Sequence, residues 1–199
     1  MKSSETALPD QAKDLLYQAL ETEMGGVEVY RTALLCARNA DLKKEWTKYL
    51  EQTERHVEIV RGVFDKLGLD AEATTPGRLI VRDKGKGLVS AMQKALKDAP
   101  KAAQIVAAEC VGDAETKDHA NWSLIGAFAE KATGAVKSAL TEAYEAVEDE
   151  EDEHLYHTRG WCRELWLEAL GLAAQLPPPE EVKDVKSASE AARVEKDRK

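Results

Sequence analysis

The sequence is poor in residues that cross-link a chain. Its 199 residues include three cysteines, Cys36, Cys110 and Cys162, widely spaced and without a CxxC pair. This excludes a disulfide framework, and an odd count suits a reducing compartment, so the expected location is the cytoplasm. Glycine and proline are also scarce, at 12 and 6 residues, which argues against an all-β or collagen-like chain. No apolar run approaches the ~20 residues of a membrane-spanning helix. The first residues, Met1-Lys-Ser-Ser-Glu-Thr, lack the apolar stretch of a secretory signal. Positive charge is in deficit too: 28 Lys and Arg stand against 37 Asp and Glu, for a net charge of -9. That balance disfavours nucleic acid as a partner, because phosphate binding draws on clustered basic residues. What remains, 43% hydrophobic and 33% charged residues, reads as one soluble domain large enough to bury its own core.

Four long segments carry helical periodicity, near residues 10–38, 41–67, 100–132 and 135–171. In the first, which starts after Pro9-Asp10, Leu16, Leu20, Val27, Tyr30 and Leu34 fall on one stripe. The second carries Trp46, Tyr49, Thr53, Val57, Val60, Phe64 and Leu67 and stops at Gly68, a natural C-terminal residue. The third, opened by Pro100, has Val111, Trp122, Ile125 and Ala129 in line. The fourth lines up Tyr144, Val147, Trp161 and Leu165 and ends at Gly171. Turns near Asn39-Ala40-Asp41 and Gly134 make two hairpins. Residues 68–99 form a long crossover between them, with Leu79-Ile80-Val81 ahead of a short helix over 87–97. An all-α chain of two antiparallel hairpins joined by a long crossover has the connectivity of a ferritin-like four-helix bundle. The bundle is assigned to residues 1–176, and 177–199 to a Pro-rich, charged tail. That tail reads as a weak helix over 185–195 or as mobile chain.

Polar residues inside the apolar stripes carry the chemical information. Glu23 falls in the middle of the first stripe, Glu115 between Val111 and Trp122, and Glu151 and His154 between Val147 and Trp161. Carboxylates are rarely buried unless they are paired or bind a metal. A Glu and a His three residues apart project to one side of a helix and can reach the same ion. Glu151 and His154 lie in or beside a run, 145–153, with seven acidic residues in nine. The run's other members Glu148, Asp149, Glu150, Asp152 and Glu153 read as a solvated face. The two hairpins also echo each other: Glu23 is followed seven residues later by Tyr30, and Glu115 by Trp122.

Helix two departs from this pattern. In register with its stripe, the carboxylate and imidazole positions are Thr53 and His56. Glu54 lies about 100° round the helix, and the alternative register, Glu51-x-x-Glu54, points largely away from the core. A local π-bulge would turn Glu54 or Glu51 inward; without one, one bridging carboxylate is missing.

The placed helices, crossover and carboxylates resemble the ferritin-like superfamily, and within it the stress-associated YciE/YciF-type proteins. Tyr49-Leu-Glu-Gln-Thr-Glu-Arg-His-Val-Glu58 is similar to that group's second-helix signature, LEETxxHVE. The crossover Arg78-Leu-Ile-Val-Arg with Gly87-Leu-Val-Ser-Ala-Met92 is similar to its counterpart there, in altered order. Glu151-Asp-Glu-His154 resembles the last-helix ExxH of ferritins, bacterioferritins and rubrerythrins. The resemblance spans roughly residues 12–170 and implies iron or manganese, two ions preferred, with chemistry on oxygen or peroxide. It further implies that Glu23 and Glu115 are terminal ligands, that Glu151 bridges, and that His56 and His154 each hold one metal. Asp118 and His119 become supporting residues or replacement ligands, and His157 a supporting or surface residue. Tyr30, Tyr144, Trp122 and the three cysteines read as core.

Two functions follow as expectations. The first is a metal-dependent protein of ferroxidase, peroxidase or catalase type, active in oxidative or stress defence. The second is a metal-free helical scaffold or stress-interaction protein that works through its surface. The apolar face Trp161, Leu165, Trp166 and Leu170 favours a homodimer in either case.

Overall fold

The computed structural model describes residues 8–198 and contains eight helices and no strand among them. The N-terminal stretch Met1-Lys-Ser-Ser-Glu-Thr and Lys199 lie outside the described residues. In chain order, α1 is Asp10–Cys36, α2 Ala40–Leu67, α3 Pro76–Asp98 and α4 Ala103–Lys131. They are followed by α5 Gly134–Glu145, α6 Glu148–Ala169, α7 Pro179–Val182 and α8 Ala188–Asp197. The chain is all-helical, and no helix is long and apolar enough to cross a membrane among the described residues.

Local signals set the boundaries. The Asn39 side chain accepts from the backbone N–H of Asp41 and Leu42 and starts α2. Gly68 ends that helix at φ 64°, a left-handed conformation that costs glycine little. Thr75 caps α3 through the N–H of Arg78, with Pro76 in the first turn.

Two expectations are corrected here. The crossover holds one 23-residue helix rather than a short helix over 87–97. The Thr75-Pro76 start opens the helix already at residue 76, and buried Arg78 ties the first turn to Glu21 of α1 at 2.6 Å. The fourth long segment is broken at Ala146 and Val147 into α5 and α6. Glu148, Asp149, Glu150 and Glu151 crowd the first turn of α6, where the positive end of the helix dipole favours acids.

The helices enclose two apolar cores. One contains Tyr30, Trp46, Tyr49, Met92, Trp161 and Leu165. The other contains Leu16, Leu20, Phe64, Trp122, Ile125 and Leu140. Of the face expected to drive self-association, Trp161 and Leu165 are therefore core, while Trp166 and Leu170 remain exposed. The tail does not stand free: Val185 and Val194 pack on Leu155 and Tyr156 of α6. Arg163 binds Glu180 through two N–H groups at 2.6 and 2.8 Å.

Candidate metal centre

Between the two cores sits a layer of buried charge. Glu23 on α1, His56 on α2, and Glu151 on α6 bring one ligand atom each within 4.8 Å of one another. Glu115 on α4 forms a second such group with Glu151 and His154. Glu151 is common to both, and all five side chains are buried. His56 Nδ1 lies 3.0 Å from Glu151 Oε1 and 3.7 Å from Glu23 Oε1. His154 Nδ1 lies 3.6 Å from both Glu151 Oε1 and Glu115 Oε2. Despite these approaches, neither imidazole Nδ1 is aligned for a hydrogen bond. Glu23 Oε2, Glu115 Oε2 and Glu151 Oε2 are likewise buried without a hydrogen-bond partner. Buried polar atoms are rarely left unpaired, and these five converge in groups that could hold a metal ion.

The outer contacts hold each ligand atom in place. Trp122 Nε1 donates to Glu23 Oε1 at 2.7 Å, and Tyr30 Oη donates to Glu115 Oε1 at 2.7 Å. The residue seven positions after each glutamate therefore serves the glutamate of the other hairpin. The histidines follow the same rule. His56 Nε2 bonds Glu150 Oε2 at 2.7 Å and His154 Nε2 bonds Gln52 Oε1 at 3.0 Å, and each partner precedes the other histidine by four. Both rings thus aim Nδ1 at the cluster, with the outer nitrogen fixed by a hydrogen bond, as metal-binding imidazoles require.

Crowding shifts the titrations. Burial, then the neighbouring Glu115 carboxylate, pushes Glu151 up to about 7. Burial opposes a charged His56, but the close carboxylates of Glu150, Glu151 and Glu23 outweigh it and raise His56 to about 12. The bond from His56 in turn holds Glu150 down at about 2. Asp118, buried beside the cluster, is pushed well up by burial and by Glu23, Glu151 and Glu115. An imidazolium is thus the main positive charge inside a group of acids.

Glu54 is not part of this group. It is exposed and paired with Arg31 at 2.8 Å, and Glu51 is exposed as well. Because α2 runs as unbroken α-helix, without a π-bulge, both stay on the outer face. Thr53 occupies the inward position, 2% exposed, with its hydroxyl donating to the Tyr49 carbonyl at 2.9 Å.

His119 bonds Asp152 at 2.7 Å away from the cluster, and His157 belongs to a separate group with Glu45 and Tyr49. Cys36 and Cys110 are buried in the apolar core. Glu150 and Glu153, expected on a solvated face, turn inward to His56 and Lys48. Gln52 does not stand out in the sequence as a functional residue and Glu150 reads there as solvated, yet a signal is present: Gln52-Thr53-x-x-His56 parallels Glu150-Glu151-x-x-His154.

Comparison with family models, with curated proteins and with solved structures gives no match for this chain.

Proposed function

We propose that this chain is a ferritin-like dimetal carboxylate protein that acts on iron, oxygen or peroxide in oxidative or stress defence. The observation that carries the reading is the pair of ligand groups joined at Glu151, each with its own terminal glutamate and its own imidazole. Three carboxylates and two imidazoles in a buried helical layer suit Fe or Mn better than softer-site metals. Such a pair of ions, when bound, supplies two-electron chemistry toward dioxygen or peroxide.

The chain's own residues do the rest. Glu23 and His56 would hold one ion and Glu115 and His154 the other, with Glu151 common to both groups. Trp122 and Tyr30 keep the terminal carboxylates from rotating, and Glu150 and Gln52 keep both rings aimed inward. The apolar cores on either side exclude water. With Thr53 in place of a second bridging carboxylate, one side of the centre is less negative, which favours uptake of divalent over trivalent ions.

Elemental analysis of protein reloaded anaerobically with Fe(II) or Mn(II) tests the reading, with about two ions per chain expected. Glu151→Ala and His154→Ala abolish uptake. No metal after reloading leaves the scaffold reading, which Trp166, Leu170 and Leu172 favour at 45%, 65% and 56% exposure. These apolar side chains near the end of α6 offer a homodimer face. Under that reading, self-association survives both substitutions.

A further inference from the structure

Helix α3 is anchored by side chains near its two ends, and in its middle the backbone passes close to α1 at Gly85 and Gly25. Near its start, Arg78 and Arg82 grip Glu21 of α1, each at 2.6 Å. Near its end, Met92 and Ala95 are buried in the apolar core. Between these anchors the sequence reads Lys84-Gly-Lys-Gly87. Beneath it, between α1, α3 and α4, lies a groove of about 490 Å³. That volume falls within the range of small-molecule sites.

The groove is apolar along its length, through Val29, Val81, Leu88 and Ala114. Lys84 from α3 and Lys117 from α4 both line it. Among the described residues neither forms an ion pair. Lys117 instead donates to the Asn121 amide oxygen. Of the acids at the groove, Glu21 has both oxygens taken by arginines, and Asp113 is exposed like Lys84. In a chain of net charge -9, α3 is a basic element, with six Lys and Arg against two Asp.

Packing does not account for the space. A methyl group built at Gly25 or Gly87 would meet no atom within 4 Å, and one at Gly85 only Gly25 Cα, at an ordinary 3.8 Å. None of the three has a positive φ. Glycine inside a helix weakens it; Gly85 lets the α3 backbone come close to Gly25 of α1, while the side chains missing at Gly25 and Gly87 leave the groove open.

We propose that this groove binds an amphipathic carboxylate, a molecule with a slender apolar chain and one carboxylate held between Lys84 and Lys117. Apolar walls desolvate the chain, and two otherwise unpaired ammonium groups meet the head. A cationic or purely apolar molecule leaves those charges unanswered. The assignment does not depend on metal at the buried centre. It does adjoin that centre, since Gly26 in the groove floor backs onto Thr53, where a Cβ would stand 3.2 Å from the Thr53 methyl.

Isothermal titration calorimetry of the full chain with octanoate gives the test, with octylamine as the charge-reversed control. Saturable binding of octanoate and none of octylamine is expected. Lys84→Gln with Lys117→Gln weakens octanoate at least about tenfold, the usual effect of losing a charged hydrogen bond. Gly25→Leu fills the groove and abolishes binding. Gly25→Ala and Gly87→Ala each raise Tm by about 2–4 °C, as expected when helix glycines carry no packing role. A featureless octanoate titration overturns the proposal. So does equal binding of octylamine, or affinity unchanged in the lysine double variant.

Discussion

Tyr30 and Trp122 are the residues on which the geometry of the buried layer turns. Each is buried, and each gives its one polar hydrogen to a carboxylate on the opposite hairpin. The Tyr30 hydroxyl is held well above its usual range by burial and by Glu115, so it stays a donor. Tyr30→Phe keeps the ring and its packing and removes only that donor. Glu115 Oε1 then joins Oε2 as a buried carboxylate oxygen with no partner. Leaving such a group unpaired costs about 1–3 kcal/mol. Urea denaturation of metal-free Tyr30→Phe should show that loss, and unchanged stability would mean that Glu115 is not anchored by Tyr30.

The C-terminal elements α7 and α8 are held by a strap of charge rather than by a large apolar face. Glu180 is 2% and Glu164 0% exposed. Arg163 bridges them, and Arg198 closes the far end on Glu164. Arg163→Ala strands the buried Glu180 carboxylate, while Glu164 keeps Arg198 and the Gln175 N–H; breaking a buried pair costs about 3–5 kcal/mol. Faster proteolysis within residues 183–198 and loss of amide protection in α7 are expected, while α1 and α2 keep theirs. Protection unchanged in α7 would show that Val185 and Val194 suffice. This docking was only half legible in the sequence, because three prolines and a polar stretch look alike whether free or bound. Helices α1, α2 and α4 were legible because their stripes are long and end at turn residues. The break between α5 and α6 was not, since Tyr144 and Val147 keep helical spacing and no Gly or Pro separates them. The inward positions of Glu23, Glu115, Glu151, His56 and His154 stood out as polar residues among apolar ones. Glu150 could not stand out, because every neighbour in its acidic run is charged and phase alone decides which of them turns inward.

At the scale of the whole molecule, the buried layer ties stability to pH. Glu151 is raised to about 7, chiefly by burial, and Glu181 to about 7 by burial and by Glu45. In the unfolded chain both titrate near the ordinary value of 4.5. Between those values the folded protein holds protons that the unfolded chain has released, so stability falls as pH rises. For Glu151 the loss is on the order of 3 kcal/mol. His56, raised from 6.5 to about 12, extends the fall upward, because its stabilising charge is fully present below 6.5 and is lost toward 12. Glu150, lowered to about 2, acts only on the acid side and does not oppose this trend above 4.5. The metal-free protein should therefore lose stability steadily from about pH 5 to about pH 9. Under the proposed function, a bound metal would displace the protons on Glu151 and His56, and its affinity would grow as they leave. In excess Mn(II) the slope should flatten or reverse over the same range. Urea midpoints at several pH values, with chelator and with Mn(II), decide the matter. Chelated protein that grows more stable as pH rises would refute the proton-loaded cluster. Parallel profiles with and without Mn(II) would show that these side chains do not take up the ion.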